Sequence, residues 1–189
     1  MSCADRAAKD GIADITKKCD AVSVAFAGET PYVILMSFGF EWAGEGEKVS
    51  RMRQHGRALA AVAAENPQRA VAYDVIARTQ AALEGRGGLL KELIGSEIAR
   101  MEALLCQRQG ISADRISARV CTGNTTMLYL LTGRSPESLA KAPFEVDCLF
   151  NRTENGVYLP ACFGAYVGAD IVCALLASGM MGRDRTAML

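Results

Sequence analysis

Three short stretches carry the side chains best suited to gripping a ligand. The first is Gly123-Asn124-Thr125-Thr126, set between a thin apolar lead and an almost wholly apolar run, MLYLLT. A strand handing over to a helix at this point would aim backbone N–H groups, and the positive end of the helix dipole, off the edge of a sheet. That arrangement suits an anion, and Asn124, Thr125 and Thr126 can add side-chain donors. Asn124 or Thr125 also serves as a plain N-cap worth about 1 kcal/mol, and composition alone favours that simpler role. The second stretch is GAYVGAD, residues 164–170. Gly164 and Gly168 permit close backbone approach. Asp170 falls in the first turns of an otherwise apolar helix. Buried, its carboxylate would need a partner, a metal or a water; exposed, it is simply favoured by the helix dipole. The residues leave both roles open. The third stretch is FAGETP, residues 26–31. Gly28 and Thr30 lie in a turn between two apolar strands, where a phosphate-gripping hairpin would sit. Such a hairpin brings a carboxylate at the strand end and several hydroxyls, whereas here the strand end is Phe26 and Pro31 lacks an N–H. An ordinary hairpin is the better reading.

Other chemistries are poorly supplied. There is no glycine-rich phosphate loop, no dinucleotide fingerprint, and no Ser–His or Cys–His pairing. The seven cysteines (3, 19, 106, 121, 148, 162 and 173) are odd in number, form no CxxC pair, and mostly sit in apolar segments. They read as small buried hydrophobes, not as a disulfide framework, a metal site or an iron–sulfur site. The single histidine, His55, lies in the polar stretch RMRQHGR and has no second histidine to share a metal. No metal site is assigned.

The elements that would position these residues follow from pattern. Residues 1–20 are polar and weakly patterned, a short helix or loose arm. AVSVAFAG (21–28) and YVILMSF (32–38) read as strands, with turn chemistry in EWAGEGEKVS (41–50). RALAAVAAE (57–65) is ambiguous: alanine favours helix, yet a third strand would complete a meander. Over 66–85 the pattern predicts a helix capped by Asn66, with Pro67 at its first position, an apolar stripe of Val71, Val75, Ile76, Thr79 and Leu83, and a stop at Gly85. Residues 87–110 give the clearest helix, with Leu90, Leu93, Ile94, Ile98, Met101, Leu104 and Leu105 on one stripe and Gly110 as the stop. A strand at 115–123, a helix closed by Gly133, a loop at 134–143, strands at 144–150 and 157–163, and a helix at 164–181 follow. Pro160 suggests an edge position or an early end for its strand. The last helix is apolar nearly all round, which predicts burial.

At 189 residues and half hydrophobic, the chain can bury a core, and one α/β domain with helices packed on a mixed sheet is the simplest organisation. Lys+Arg and Asp+Glu both total 21, which argues against a nucleic-acid or membrane-surface binder and gives little colloidal protection against association. The start MSCADRAAKDG has no apolar core behind a basic segment, and no apolar run is uninterrupted, so a cytoplasmic protein is expected.

NPQRAVAYDVIAR, CTGNTTMLYLLTGRSPESLAKAPF and VYLPACFGAYVGADIVCALLASG occur in this order, with the amphipathic helix between the first two. Together they resemble the C-terminal actin-like ATPase domain of the reductive activators of corrinoid proteins, relatives of acetate and sugar kinases, heat-shock chaperones and actin. The similarity runs through roughly 57–189 and is weaker over 20–56. The resemblance implies a single lobe of an actin-like, ribonuclease H-like ATPase fold. Its parts would be an arm (1–20) and a lobe (21–189) built from a meander (21–65), helices (66–110) and a β-α-β-α unit (115–181). In such proteins ATP lies between two lobes, gripped by two phosphate hairpins, and hydrolysis helps lift an electron onto an inactivated cobalamin from an iron–sulfur cluster in a separate domain.

By position, Gly28 and Thr30 match the first phosphate loop, an AVDIGTTT-like pattern, while Phe26 replaces its Asp and Glu29 and Pro31 replace two hydroxyls. That carboxylate helps order the metal and water, and Phe can do neither. Gly123, Asn124, Thr125, Thr126 and Gly168 match as phosphate-side residues, and Asp170 as the candidate catalytic group. The resemblance leaves a site and a cap at Asn124 on equal footing. The chain ends at RTAML, where the family would run on into the second phosphate loop, and no cysteine cluster is present for an iron–sulfur centre. The expected protein is a truncated, non-catalytic relative acting as a binding or regulatory module. The alternative is half of an ATPase, with ATP and Mg²⁺ bound only when another chain supplies the missing lobe. Expected partners are a second copy, a corrinoid protein or that second lobe, with neither nucleic acid nor membrane.

Overall fold

The computed structural model describes residues 19–27, 30–43 and 51–178, with side chains described from Leu59 onward apart from Ser117. Six strands form one sheet: β1 (Cys19–Ala27), β2 (Thr30–Ala43), β3 (Arg51–Ala63), β4 (Ile116–Thr122), β5 (Arg152–Glu154) and β6 (Val157–Leu159). Their spatial order is β3-β2-β1-β4-β6-β5. The first three form an antiparallel meander, with Ala27 paired to Thr30 and Tyr32 to Ala63. β4 runs parallel to β1, β6 parallel to β4, and β5 turns back antiparallel on β6. The expected strand at 144–150 is absent: this segment is irregular, with Phe144 and Phe150 both at positive φ (62° and 63°). Its backbone is satisfied from a side chain, because the Cys148 N–H donates to the Tyr129 hydroxyl at 2.8 Å. The predicted strand at 157–163 stops at Leu159, immediately before Pro160, whose missing N–H cannot extend a ladder.

The ambiguous stretch around 57–65 is strand. Alanine's helix preference amounts to a few tenths of a kcal/mol per residue, and the β2 ladder, continuous from Tyr32↔Ala63 to Ala43↔Arg51 but for one register shift, overrides it.

Among the described residues five α-helices accompany the sheet: α1 (Val75–Ala81), α2 (Gly87–Gln109), α3 (Thr125–Thr132), α4 (Glu137–Ala140) and α5 (Ala169–Ser178). The helix expected over 66–85 is broken. Asn66 does cap Pro67–Ala70, but only a single 3₁₀ turn, and α1 restarts at Asp74, whose carboxylate accepts from the Ala77 N–H at 2.8 Å. The restart shifts the helical phase. The expected stripe therefore faces the core only in part: Val71 packs against it and Val75 and Thr79 are half-buried, but Ile76 is 78% exposed, and the fully buried residues of α1 are Arg78 and Ala81. The buried Arg78 guanidinium donates to the carbonyls of Ala72 and Tyr73 and lies 3.9 Å from the Met127 sulfur. A loosened turn, Ala82–Arg86, with Gly85 at φ 91°, separates α1 from α2. In α2 the stripe is as expected, with Leu90, Ile94, Met101 and Leu105 fully buried and Gly110 closing the helix in the left-handed conformation. α2 lies across β2 and β3 and packs on α3. The core is centred on α2, α3 and β4. Among the described residues no helix is long and apolar enough to cross a membrane.

Candidate functional site

Because β1, β4 and β6 are parallel, their C-terminal ends leave the sheet at one edge, the side on which open α/β sheets bind ligands. Ala25 of β1 pairs with Thr122, the last residue of β4, so the C-terminal end of β1 lies beside the end of β4 that leads into the Gly123 turn. Thr30 stands at that edge, paired to Ala27, and Phe26 is paired to Pro31. Gly28 lies outside the described residues. The loop following β6 returns to the same place. Gly123, Asn124, Thr125, Thr126, Gly168 and Asp170, though separated by more than forty positions, are thereby gathered into one cluster.

Asn124 takes an extended conformation (φ −65°, ψ 157°), and its side-chain oxygen accepts from the Met127 N–H at 2.9 Å, so it is the N-cap of α3. Thr125 is fully buried and its hydroxyl donates to the Gly164 carbonyl at 2.6 Å. The Cys162 sulfur lies beside this hydroxyl. The same sulfur meets the Ala169 N–H. Cys162 therefore ties the first turn of α3 to the first turn of α5, and burial raises its thiol pKa. The sequence marked this residue only as one of several buried cysteines. Its place between two helix starts could not be read from spacing, since the partners lie 37 and 7 residues away.

Gly168 is where the two helix starts come closest. A Cβ built there would stand 2.5 Å from both the Asn124 Cα and the Gly123 carbonyl oxygen, and 2.8 Å from an Asp170 carboxylate oxygen. Only glycine fits, so the GxVGAD spacing reflects backbone contact. The Asp170 N–H points to the Gly123 carbonyl at 3.4 Å, and its half-buried carboxylate folds back to accept from the Ile171 N–H at 2.9 Å. Thr126 is half-buried on the outer side of the turn. Thr122, 9% exposed, has a buried hydroxyl with no hydrogen-bond partner among the described residues.

Behind the turn, Tyr129 is fully buried and its hydroxyl donates to the Asp147 carboxylate. Burial, with the Asp147 carboxylate adding to it, pushes the Tyr129 pKa up to about 12, so the phenol stays protonated and acts as a strut holding 147–150. In front, Phe163 and Tyr166 are 77% and 75% exposed, and the Tyr166 ring meets Phe144 edge-on at 5.7 Å. Among the described residues, no group of three or more His, Cys, Asp and Glu side chains is placed to hold a metal ion.

The sheet order, the helices on it and the cluster at its parallel edge define an α/β lobe of the actin-like kind. Its backbone is similar to a solved structure described as a reductive activator for corrinoid, iron–sulfur protein, with a TM-score of 0.70 and 24% identity, covering 93% of this chain. The chain spans 27% of the length of that protein. The family model described as the RACo middle region matches residues 51–183, and the chain belongs to this family. Among curated proteins no relative matches.

Proposed function

We propose that this chain is a binding module related to the ATP-dependent activators of corrinoid proteins, supplying one wall of a nucleotide crevice rather than a complete catalytic site. The observation that carries the reading is the state of the turn. The Asn124 amide and the Thr125 hydroxyl, the side chains best placed to reach a ligand, hold the Met127 N–H and the Gly164 carbonyl. The aromatic side chains of Phe163 and Tyr166 beside them stand open to solvent. A self-sufficient nucleotide pocket is arranged the other way, with polar groups converging inward and apolar ones covered. A partner surface laid over this edge would cover the aromatics and close the crevice.

The residues present do not fit Mg²⁺. The strand-end position of the first hairpin carries Phe26, which offers no oxygen, and Asp170 turns its carboxylate onto its own helix. No metal-assisted step is therefore assigned to the chain alone. The partner class carried over from the solved relative is a corrinoid protein; a second copy of the chain or a completing lobe would cover the same edge.

Isothermal titration of the purified chain with MgATP tests the reading. No saturable binding is expected below about 1 mM, and Phe26→Asp is expected to hydrolyse no ATP. Micromolar binding by the lone chain, or turnover by the variant, overturns it. One observation favours a second reading, half of an ATPase completed by another chain. The buried Thr122 hydroxyl next to Gly123 lacks a partner among the described residues, a state costing about 1–3 kcal/mol unless a ligand or water meets it. MgATP binding that appears only when a second-lobe polypeptide is added would establish that reading.

A further inference from the structure

On the helix-covered face of the sheet, away from the edge described above, lies a cavity of about 220 Å³. Its walls are Gly95 and Ile98 of α2, Cys121 of β4, Leu131 of α3, and Val157 and Leu159 of β6. The geometry points to a binding site for a small neutral molecule built on one apolar ring. Three observations converge on that chemistry.

The first is size and lining. A cavity of about 150 Å³ walled by aliphatic side chains already accepts a benzene ring, and this one is larger and lined mainly by carbon. The second is Gly95. It sits in the interior of the 23-residue α2, where glycine is about 1 kcal/mol less favourable than alanine. At Gly168 a close contact accounts for the glycine, but a Cβ at position 95, as at Gly88 in the same helix, would meet nothing within 4 Å. Packing does not require this glycine; what it does is leave the cavity wall open. The third is charge. Glu102 is held by two bonds from Arg119, at 3.0 and 2.7 Å, and Glu154 by Arg134 and Arg152, at 2.9 and 2.6 Å. Every carboxylate on the rim already has its cation, so a cationic ligand finds no free carboxylate there. The Cys121 thiol on the floor is raised by burial to about 12, so it stays neutral as well. The Asn155 side chain, on the β5–β6 turn at the rim, can serve one hydrogen-bonding substituent of the ring.

The probe is p-cresol, a neutral ring with one hydroxyl. With methyl-labelled protein, saturable shifts are expected at the methyls of Ile98, Leu131 and Leu159. Gly95→Leu, which fills the opening, is expected to weaken binding by roughly tenfold or more, whereas Gly95→Ala keeps it. Absence of saturable shifts in the unmodified protein, or shifts confined to other methyls, overturns the proposal. So does equal affinity in a folded Gly95→Leu variant. The methyl map of the unmodified chain decides the matter even if the leucine variant fails to fold.

Discussion

Helices α3 and α5 are built alike and end up differently. Both are short, eight and ten residues, both are mainly apolar, and their starts are brought together at Gly123, Cys162 and Gly168. Yet Met127, Leu128, Tyr129 and Leu130 of α3 are each at most 1% exposed, while in α5 Ile171 is 40% and Leu176 63% exposed. The difference is one of layer, not composition. α3 is enclosed by α1, α2 and the 147–150 segment, whereas α5 packs on β4 and turns an apolar side outward. An apolar helix in the core specifies the fold; the same kind of helix with an open apolar side is the kind of surface that interaction sites use.

The largest effect should come from the buried member of the pair. Leu128→Ala removes a fully buried side chain, and chemical denaturation should report a loss of about 2–5 kcal/mol, with the cavity adding to the transfer cost. A loss below about 1 kcal/mol would mean that α3 is not the enclosed element described here.

This contrast also marks where the sequence stops being legible. The stripe of α2, the cap at Asn124, the stop at Gly133 and the early end of β6 before Pro160 could all be read from the chain, because each is decided by neighbours within a few positions. What failed or stayed open were features decided at a distance. The all-apolar α5 reads as buried because pattern records hydrophobicity but not which layer remains uncovered. The alanine-rich β3 is a strand because β2 lies beside it. The 144–150 segment alternates like a strand, yet its Cys148 amide is claimed by Tyr129, 19 positions away. At the site, the family motifs picked out Asn124, Thr125, Gly168 and Asp170. Nothing local indicated that Thr125 would bond Gly164, or that Gly168 would be pressed against Asn124.

The joint between the two helices is the next place to strain the comparison. Gly168→Ala places a methyl 2.5 Å from two backbone atoms, which cannot swing aside as a side chain would. The expected cost is about 1–3 kcal/mol by thermal or urea unfolding, as for other overpacked sites. Hydrogen exchange should quicken at the Met127 and Asp170 amides, at the first turns of α3 and α5, before it does in α2. Uniform loosening across the lobe would place the joint elsewhere.

The smallest effect on stability should come from the exposed member, and there the readout changes kind. Replacing Ile171 and Leu176 together by serine removes side chains that are 40% and 63% exposed, so the unfolding free energy should fall by no more than about 1 kcal/mol per site. If that surface is an interface, the same change removes its driving force, at about 25 cal/mol for each Å² that a partner would have covered. Formal net charge is zero, so no long-range repulsion keeps copies apart. Sedimentation velocity across a concentration series should therefore show the unmodified chain associating and the double variant remaining a monomer. A chain that stays monomeric at every concentration would remove self-association from the account. The outward side of α5 would then be left to a different partner, and the same double variant would have to weaken that contact instead, again without loosening the fold.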